Sequence, residues 1–168
     1  MQPMKPACVL ALDLGTSSVR TALFDQRGRR LVATTAQQLY RVTYTADGGA
    51  ELDPATLRNA TRRCLRQTLR RHPGPVLAVG VSCFWHSLLG TDARGRPVTP
   101  IYTWADARCR PAAAWLRATR SERRYHAQTG CMLRASFWPA KLRWLRQTRV
   151  ARWVSTAEWL TGAPHMSL

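Results

Sequence analysis

Short apolar runs separated by turn chemistry open the chain, and apolar residues at helical spacing dominate its second half. Residues 8–14 and 19–25 are runs of strand length joined by Gly15-Thr16-Ser17-Ser18, and residues 31–40 supply a third after Gln26-Arg27-Gly28-Arg29. Three such runs with tight connections predict an antiparallel meander. Residues 44–51, containing Asp47-Gly48-Gly49, read as a loop. Asp53-Pro54 then opens a helix, with Asp as N-cap and Pro in the first helical position. Leu57, Thr61, Cys64, Leu65, Thr68 and Leu69 predict one buried face, and His72-Pro73-Gly74-Pro75 ends the helix. Residues 76–83 are apolar enough for a central strand, 91–96 form a polar turn, and 98–104 return as a strand.

From Asp106 onward the pattern is helical. Short helices are expected over 112–117 and 122–128, the second capped by Ser121 and ended near Gly130. Pro139 starts another that buries Leu142 and Leu145. Ser155-Thr156-Ala157-Glu158 has capping-box spacing before a last helix ended by Gly162 and Pro164. Trp138, Trp144, Trp153 and Trp159 fall at positions suited to packing. Hairpins, a helix, strands and then helices predict an α/β domain with a mixed sheet and flanking helices.

Composition narrows the class. With 168 residues and 45% hydrophobic content the chain can bury one core of ordinary domain size. No apolar run approaches the roughly 20 residues that span a bilayer. Lys5 precedes the apolar run 7–12, but Asp13 ends it too early for a secretory signal, so a cytoplasmic location without a membrane partner is expected. Cys8, Cys64, Cys83, Cys109 and Cys131 are scattered without a Cys-x-x-Cys pair, which suits buried free thiols better than zinc or disulfides.

The formal net charge is +17, and because Lys5 and Lys141 are the only lysines, 24 of the 26 basic residues are arginine. Arg62, Arg63, Arg66, Arg70 and Arg71 lie together, but they also form the polar side of the first helix. No recognition motif accompanies the charge, so arginine-rich composition is preferred over a nucleic-acid footprint.

The strongest local chemistry is Asp13-Leu14-Gly15-Thr16-Ser17-Ser18-Val19-Arg20. A hairpin turn with glycine lets backbone N–H groups approach a phosphate, and Thr16, Ser17 and Ser18 add hydroxyl donors. Asp13 at the strand end can hold hydrated Mg²⁺, and Arg20 can steady the loop or reach a phosphate oxygen. A plain hairpin whose hydroxyls satisfy their own turn is the alternative.

Asp-x-Gly-Thr-Ser-Ser, followed by a strand ending in Asp25 and Gly28, resembles the first phosphate motif of the FGGY carbohydrate kinases; looser forms occur across the actin and hexokinase superfamily. Gly80-Val81-Ser82-Cys83-Phe84-Trp85-His86-Ser87-Leu88-Leu89, Gly95-Arg96-Pro97 and Thr103-Trp104-Ala105-Asp106-Ala107-Arg108 resemble a second block of that family. Xylulokinases carry Met-His at the place of Trp85-His86, whereas gluconokinases are closer, with His-Ser-Leu-Leu and Thr-Trp-Ala-Asp. Glu51-Leu52-Asp53-Pro54 and the Thr129-Gly130 to Lys141-Leu142-x-Trp144 stretch also match family segments. Glycerol kinases have Arg-Glu where this chain has Trp85-His86, which makes glycerol a poor substrate expectation.

The resemblance implies an actin-like ATPase (ribonuclease H-like) fold and ATP- and Mg-dependent phosphorylation of a sugar or sugar acid. It also implies roles. Asp13, Gly15, Thr16, Ser17, Ser18 and Arg20 would serve the nucleotide, with Asp13 at the metal. Trp85 and Trp104 would stack on the sugar, His86 and Asp106 would bond its hydroxyls, and Arg108 would face a carboxylate if the substrate is an acid. Bland alternatives stand beside these: Asp106 as a helix cap, His86 as an interior histidine, and both tryptophans as core.

The family's catalytic base, second phosphate loop and adenosine pocket would lie beyond residue 168, so no catalytic residue is expected here. Residues 1–168 thus read as an incomplete N-terminal domain without its C-terminal domain, inactive alone. Either that missing half or a homo-oligomer is the expected protein partner. Exposed partner faces would make the chain poorly soluble.

Overall fold

The computed structural model describes residues 6–72 and 74–162. Lys5, the stop residue Pro73 and the closing segment 163–168 with Pro164 lie outside the described residues. In chain order the elements are β1 (Cys8–Leu14), β2 (Ser18–Phe24), β3 (Arg30–Leu39), β4 (Thr43–Tyr44), β5 (Ala50–Leu52), α1 (Pro54–Arg71) and β6 (Val76–Cys83). They continue with β7 (Leu89–Thr91), β8 (Ile101–Tyr102), α2 (Arg110–Thr119), α3 (Glu122–Thr129), α4 (Trp138–Trp144), β9 (Arg152–Val154) and α5 (Thr156–Thr161). They form two compact units, the first from residues 6–41 and 53–84, the second from 42–52 and 85–162.

In the first unit the expected meander forms. β1 pairs antiparallel with β2, β2 with β3, and β6 joins β1 in parallel, giving the order β3-β2-β1-β6 and a mixed sheet. Along β1 the side chains of Cys8, Leu10, Leu12 and Leu14 are buried while Val9 is exposed, the alternation of a strand with one covered face. Asp53 caps α1 by accepting from the Thr56 amide at 2.7 Å, with Pro54 opening the helix. The helix packs against β2 and β3 through Leu57, Ala60, Thr61, Cys64 and Thr68. Leu65 and Leu69 lie about 100° round from Cys64 and Thr68, so Leu65 is half-buried and Leu69 exposed, outside the expected stripe.

Two buried threonines join helix to sheet. Thr68 donates to the Thr34 carbonyl at 2.8 Å, which leaves its oxygen to accept from Thr21 at 2.7 Å. The arginines of α1 point to solvent, as an amphipathic helix requires. The strand 76–83 is present but is an edge, not a central strand, in the first unit's sheet: Leu77 is 69% and Val79 57% exposed. An apolar run looks the same in sequence whichever position it takes, because coverage comes from other segments.

In the second unit the stretch read as a loop is a short hairpin: β4 pairs antiparallel with β5, and β5 with β8. The returning strand is shorter than 98–104, only Ile101–Tyr102, and an unanticipated β9 pairs with β7. Ser121 caps α3, Gly130 ends it in the left-handed conformation, and Ser155 and Glu158 close the expected capping box at α5. Leu88, Tyr102 and Leu145 form one core cluster, with Trp138, Leu142, Trp144 and Trp153 packed against it. Cys109, Ala113 and Ala140 form another. All five cysteines are free; Cys8, Cys64 and Cys109 are buried, Cys83 half-buried and Cys131 exposed. Among the described residues no helix is long and apolar enough to cross a membrane.

Candidate functional site

The glycine turn lies in the first unit between β1 and β2. It is closed by the Gly15 amide donating to the Ser18 carbonyl at 2.9 Å, and a Cβ on Gly15 would stand only 3.3 Å from that oxygen. The Tyr40 amide donates to the Ser17 carbonyl at 3.0 Å, and its hydroxyl donates to the Gly15 carbonyl. Desolvation pushes the Tyr40 phenol far up, with Cys83 and Asp13 adding to the shift, so it stays a donor. Ser18 is buried and its hydroxyl accepts from Gln37 at 3.1 Å, whereas Ser17 is exposed at the tip. Asp13 and Arg20 are register partners across the hairpin and form an ion pair at 3.3 Å.

Among the described residues no group of three or more His, Cys, Asp or Glu side chains gathers for a metal. Asp13, a single half-buried carboxylate paired with Arg20, fits the sparse protein ligation of a hydrated Mg²⁺ that takes its other ligands from phosphates.

The residues expected on the sugar side lie in the second unit. Leu88 and Tyr102 exchange backbone hydrogen bonds at 3.1 and 2.8 Å, which lays the Trp85-His86 turn beside Thr103-Trp104. Trp85 is 76% and Trp104 49% exposed, so neither is core. His86 alone among the described non-glycine residues has positive φ, 59°. Its ring lies 4.0 Å from that of Phe137 and edge-on to Trp85 at 6.0 Å. Burial, with Lys141 nearby, lowers the His86 pKa and favours the neutral imidazole.

Asp106 is 1% exposed and does not cap α2, whose N-cap is Cys109. Its carboxylate accepts from the Ala50 amide at 3.2 Å and the Arg108 amide at 3.1 Å. The guanidinium of Arg108 also binds it, Nε at 3.1 Å and Nη2 at 2.6 Å, and Nη2 reaches Glu51 at 2.5 Å. Asp47 lies 3.9 Å from Nη1, while Trp144 and Tyr102 lie under the guanidinium plane at 4.8 and 5.6 Å. Only glycine admits this packing at position 49, where a Cβ would stand 2.8 Å from Arg108 Cζ. Hydrogen bonds from Arg108 to Asp106 hold its proton more tightly still.

Four residues had no site role in the motif reading. Glu51, noted only as part of a helix entry, is a partner of Arg108. Tyr40 closes the glycine turn, and Phe137 supports His86. Lys141, on α4, is 0% exposed and donates to the carbonyls of His86 and Thr103, each at 2.6 Å. A signal for it existed: it is one of only two lysines, and it stands between the packed residues Ala140 and Leu142.

Comparison with known proteins identifies the family and the fold. The chain is 36% identical over 141 residues to a glycerol kinase of Paracidovorax citrulli, spanning 82% of this chain and 28% of that protein. Among solved structures, gluconate kinase from Lactobacillus acidophilus matches with TM-score 0.85 at 21% identity, over 93% of this chain and 32% of that one. A xyloylose kinase from Brucella ovis matches with TM-score 0.82 at 27% identity, over 92% and 33%. The chain thus spans about a third or less of the length of these relatives, within an actin-like ATPase fold. The profile of the N-terminal domain of the FGGY family of carbohydrate kinases matches residues 8–163, and the chain belongs to that family.

Proposed function

We propose that this chain supplies the first phosphate loop and the sugar-binding residues of an ATP- and Mg-dependent kinase acting on a sugar or sugar acid. The observation that carries the reading is the pair of exposed indoles, Trp85 and Trp104, on backbone segments tied to one buried lysine. Large aromatic faces left in water on ordered backbone are what stacking on sugar C–H surfaces requires. His86, held neutral, can donate to or accept from a hydroxyl. Gly15, Thr16, Ser17, Ser18 and Arg20 would hold the phosphate, and Asp13 would hold a Mg²⁺, which neutralises phosphate charge when bound. The base that takes the hydroxyl proton belongs, by the family pattern, to sequence beyond residue 168, so the 168-residue chain does not turn over alone.

D-gluconate is the first substrate to test, on the match of His86-Ser87-Leu88-Leu89 and Thr103-Trp104-Ala105-Asp106 to gluconokinases. A neutral pentulose such as D-xylulose is the second reading, and one observation favours it. Arg108 is already engaged by Asp106 and Glu51, which supports a scaffolding role over capture of a substrate carboxylate. Asp106, equally engaged, would act on hydroxyls through the loop it organises.

Intrinsic tryptophan fluorescence of the full chain with D-gluconate, D-xylulose or glycerol tests the reading. Saturable quenching by one of the first two, lost in Trp85→Ala and Trp104→Ala, is expected. Quenching by none of them, or sugar-dependent ADP formation by the chain alone, would count against it.

A further inference from the structure

Lys141 is an unusual interior residue. A lysine on an amphipathic helix ordinarily extends its stem so that the ammonium reaches water. Here the side chain is wholly buried on α4, and its protons go to main-chain carbonyls: His86 and Thr103 at 2.6 Å, Tyr102 at 3.5 Å. Desolvating an ammonium for neutral acceptors is unfavourable, and a Met or Leu would fill the same space without that cost. The placement therefore calls for something an apolar residue cannot supply.

The carbonyls show what that is. Two of them belong to His86 and Thr103, the first in the Trp85-His86 turn and the second immediately before Trp104. His86 is held at φ 59°, a region disfavoured for residues with a side chain. It is gripped twice from one helix, its carbonyl by Lys141 and its ring by Phe137, the N-cap residue of α4. A single ammonium offers three diverging donors and can bind two separate peptides at once.

We propose that Lys141 is a positioning residue of the sugar-side site, its ammonium locking the Trp85-His86 turn and the Thr103-Trp104 corner in one arrangement before any sugar arrives. Preorganised rings avoid the ordering entropy that loose ones lose on binding. The functional meaning rests on the sugar-kinase reading. The test contains no sugar, so its failure is distinct from failure of that reading.

The test is carbonyl-carbon and indole NMR of the full chain between pH 6.5 and 9.5. Burial pushes the Lys141 ammonium down to about 8, so it loses its charge and one donor inside this range. The carbonyl carbons of His86 and Thr103 are expected to shift together with a midpoint near pH 8, followed by the indoles of Trp85 and Trp104. Three other groups face the ammonium: the Cys109 thiol at the N-cap of α2, the Asp106 carboxylate and the His86 imidazole. The thiol is pushed up and the imidazole down by burial; because Cys109 raises the Lys141 pKa, a Cys109→Ala variant in which the transition persists at the same or a lower pH assigns it to Lys141.

In Lys141→Met, the Trp85 and Trp104 indole signals are expected to broaden or split, while Trp115 on α2 and the resonances of the first unit hold their positions. Sharp, unmoved Trp85 and Trp104 signals in a folded Lys141→Met protein would overturn the proposal. So would His86 and Thr103 carbonyls that do not follow the titration of the Lys141 side chain itself; that measurement on the unaltered chain decides if the variant does not fold.

Discussion

Arg108 holds the buried carboxylate of Asp106 with two nitrogens, Nε at 3.1 Å and Nη2 at 2.6 Å, while Nη2 also reaches Glu51. This ties the 103–109 segment to the hairpin of β4 and β5 within the second unit. Arg108→Leu strips Asp106 of its counter-ion and is expected to destabilise the unit by about 3–5 kcal/mol. Arg108→Lys keeps the charge without the planar fork and should recover only part of that. Urea unfolding followed by tryptophan emission reads both; a loss below about 1 kcal/mol in Arg108→Leu would show the cluster to be solvated.

Lys141 also makes stability depend on pH. Its folded pKa, about 8, lies below the ordinary 10.5, so between those values the unfolded chain binds a proton that the folded chain does not. Its contribution therefore rises from about pH 8 to 10.5 and is lost as pH falls back through 8. Cys64 and Cys109, pushed up by burial, act oppositely above their ordinary value of 9. The stability difference between the unaltered chain and Lys141→Met isolates the lysine, and is expected to move in favour of the unaltered chain across that window. An unchanged difference would mean the ammonium is solvated.

Asp53 accepts from both the amide and the hydroxyl of Thr56 at 2.7 Å, and these bonds, the hydroxyl's first, lower its pKa. Asp53→Ala is expected to cost about 1 kcal/mol, read as a lower thermal midpoint. Asp53→Asn retains an acceptor and should lose less. Its ionic contribution is present above the ordinary carboxylate pKa of 3.8 and fades as pH falls through the lowered folded value.

Asp13 and Arg20 pair in water, their side chains 44% and 56% exposed. Asp13→Asn is therefore expected to change stability by less than about 1 kcal/mol. If Asp13 serves Mg²⁺ and phosphate, the variant loses any upward shift of the melting midpoint that Mg·ATP gives the unaltered chain. An equal Mg·ATP shift in both proteins would remove Asp13 from the metal role.

β6 exposes Leu77 and Val79 at the edge of the first unit's sheet. An apolar edge strand is a template for association. Leu77→Lys with Val79→Thr is expected to reduce concentration-dependent aggregation in light scattering while leaving the thermal midpoint nearly unchanged. Undiminished aggregation would place the sticky surface elsewhere.

Strands β1, β2 and β3 and helix α1 were legible because their signals are local: strand-length runs, glycine turns, and Asp53-Pro54 at a helix start. The Ser155 capping box and Gly130 stop were readable for the same reason. The β4 and β5 hairpin was not, since strands of two and three residues carry no periodicity and exist through pairing with each other and with β8. The edge position of β6 was hidden because coverage depends on segments far away in sequence. Motif order nominated Asp13, Gly15, Trp85, His86, Trp104 and Asp106 as site candidates, yet not which of them meet solvent.

By itself the sequence determined the family, the alternation of elements, and which residues are candidates for phosphate and sugar. Those depend on order and spacing along one chain. Tertiary structure decided how the charges and rings are used: Trp85 and Trp104 outward, Asp106 inward against Arg108, Lys141 bound to backbone. Desolvation and hydrogen bonding between residues as far apart as His86 and Lys141 set those roles, and neither is a property of neighbouring letters.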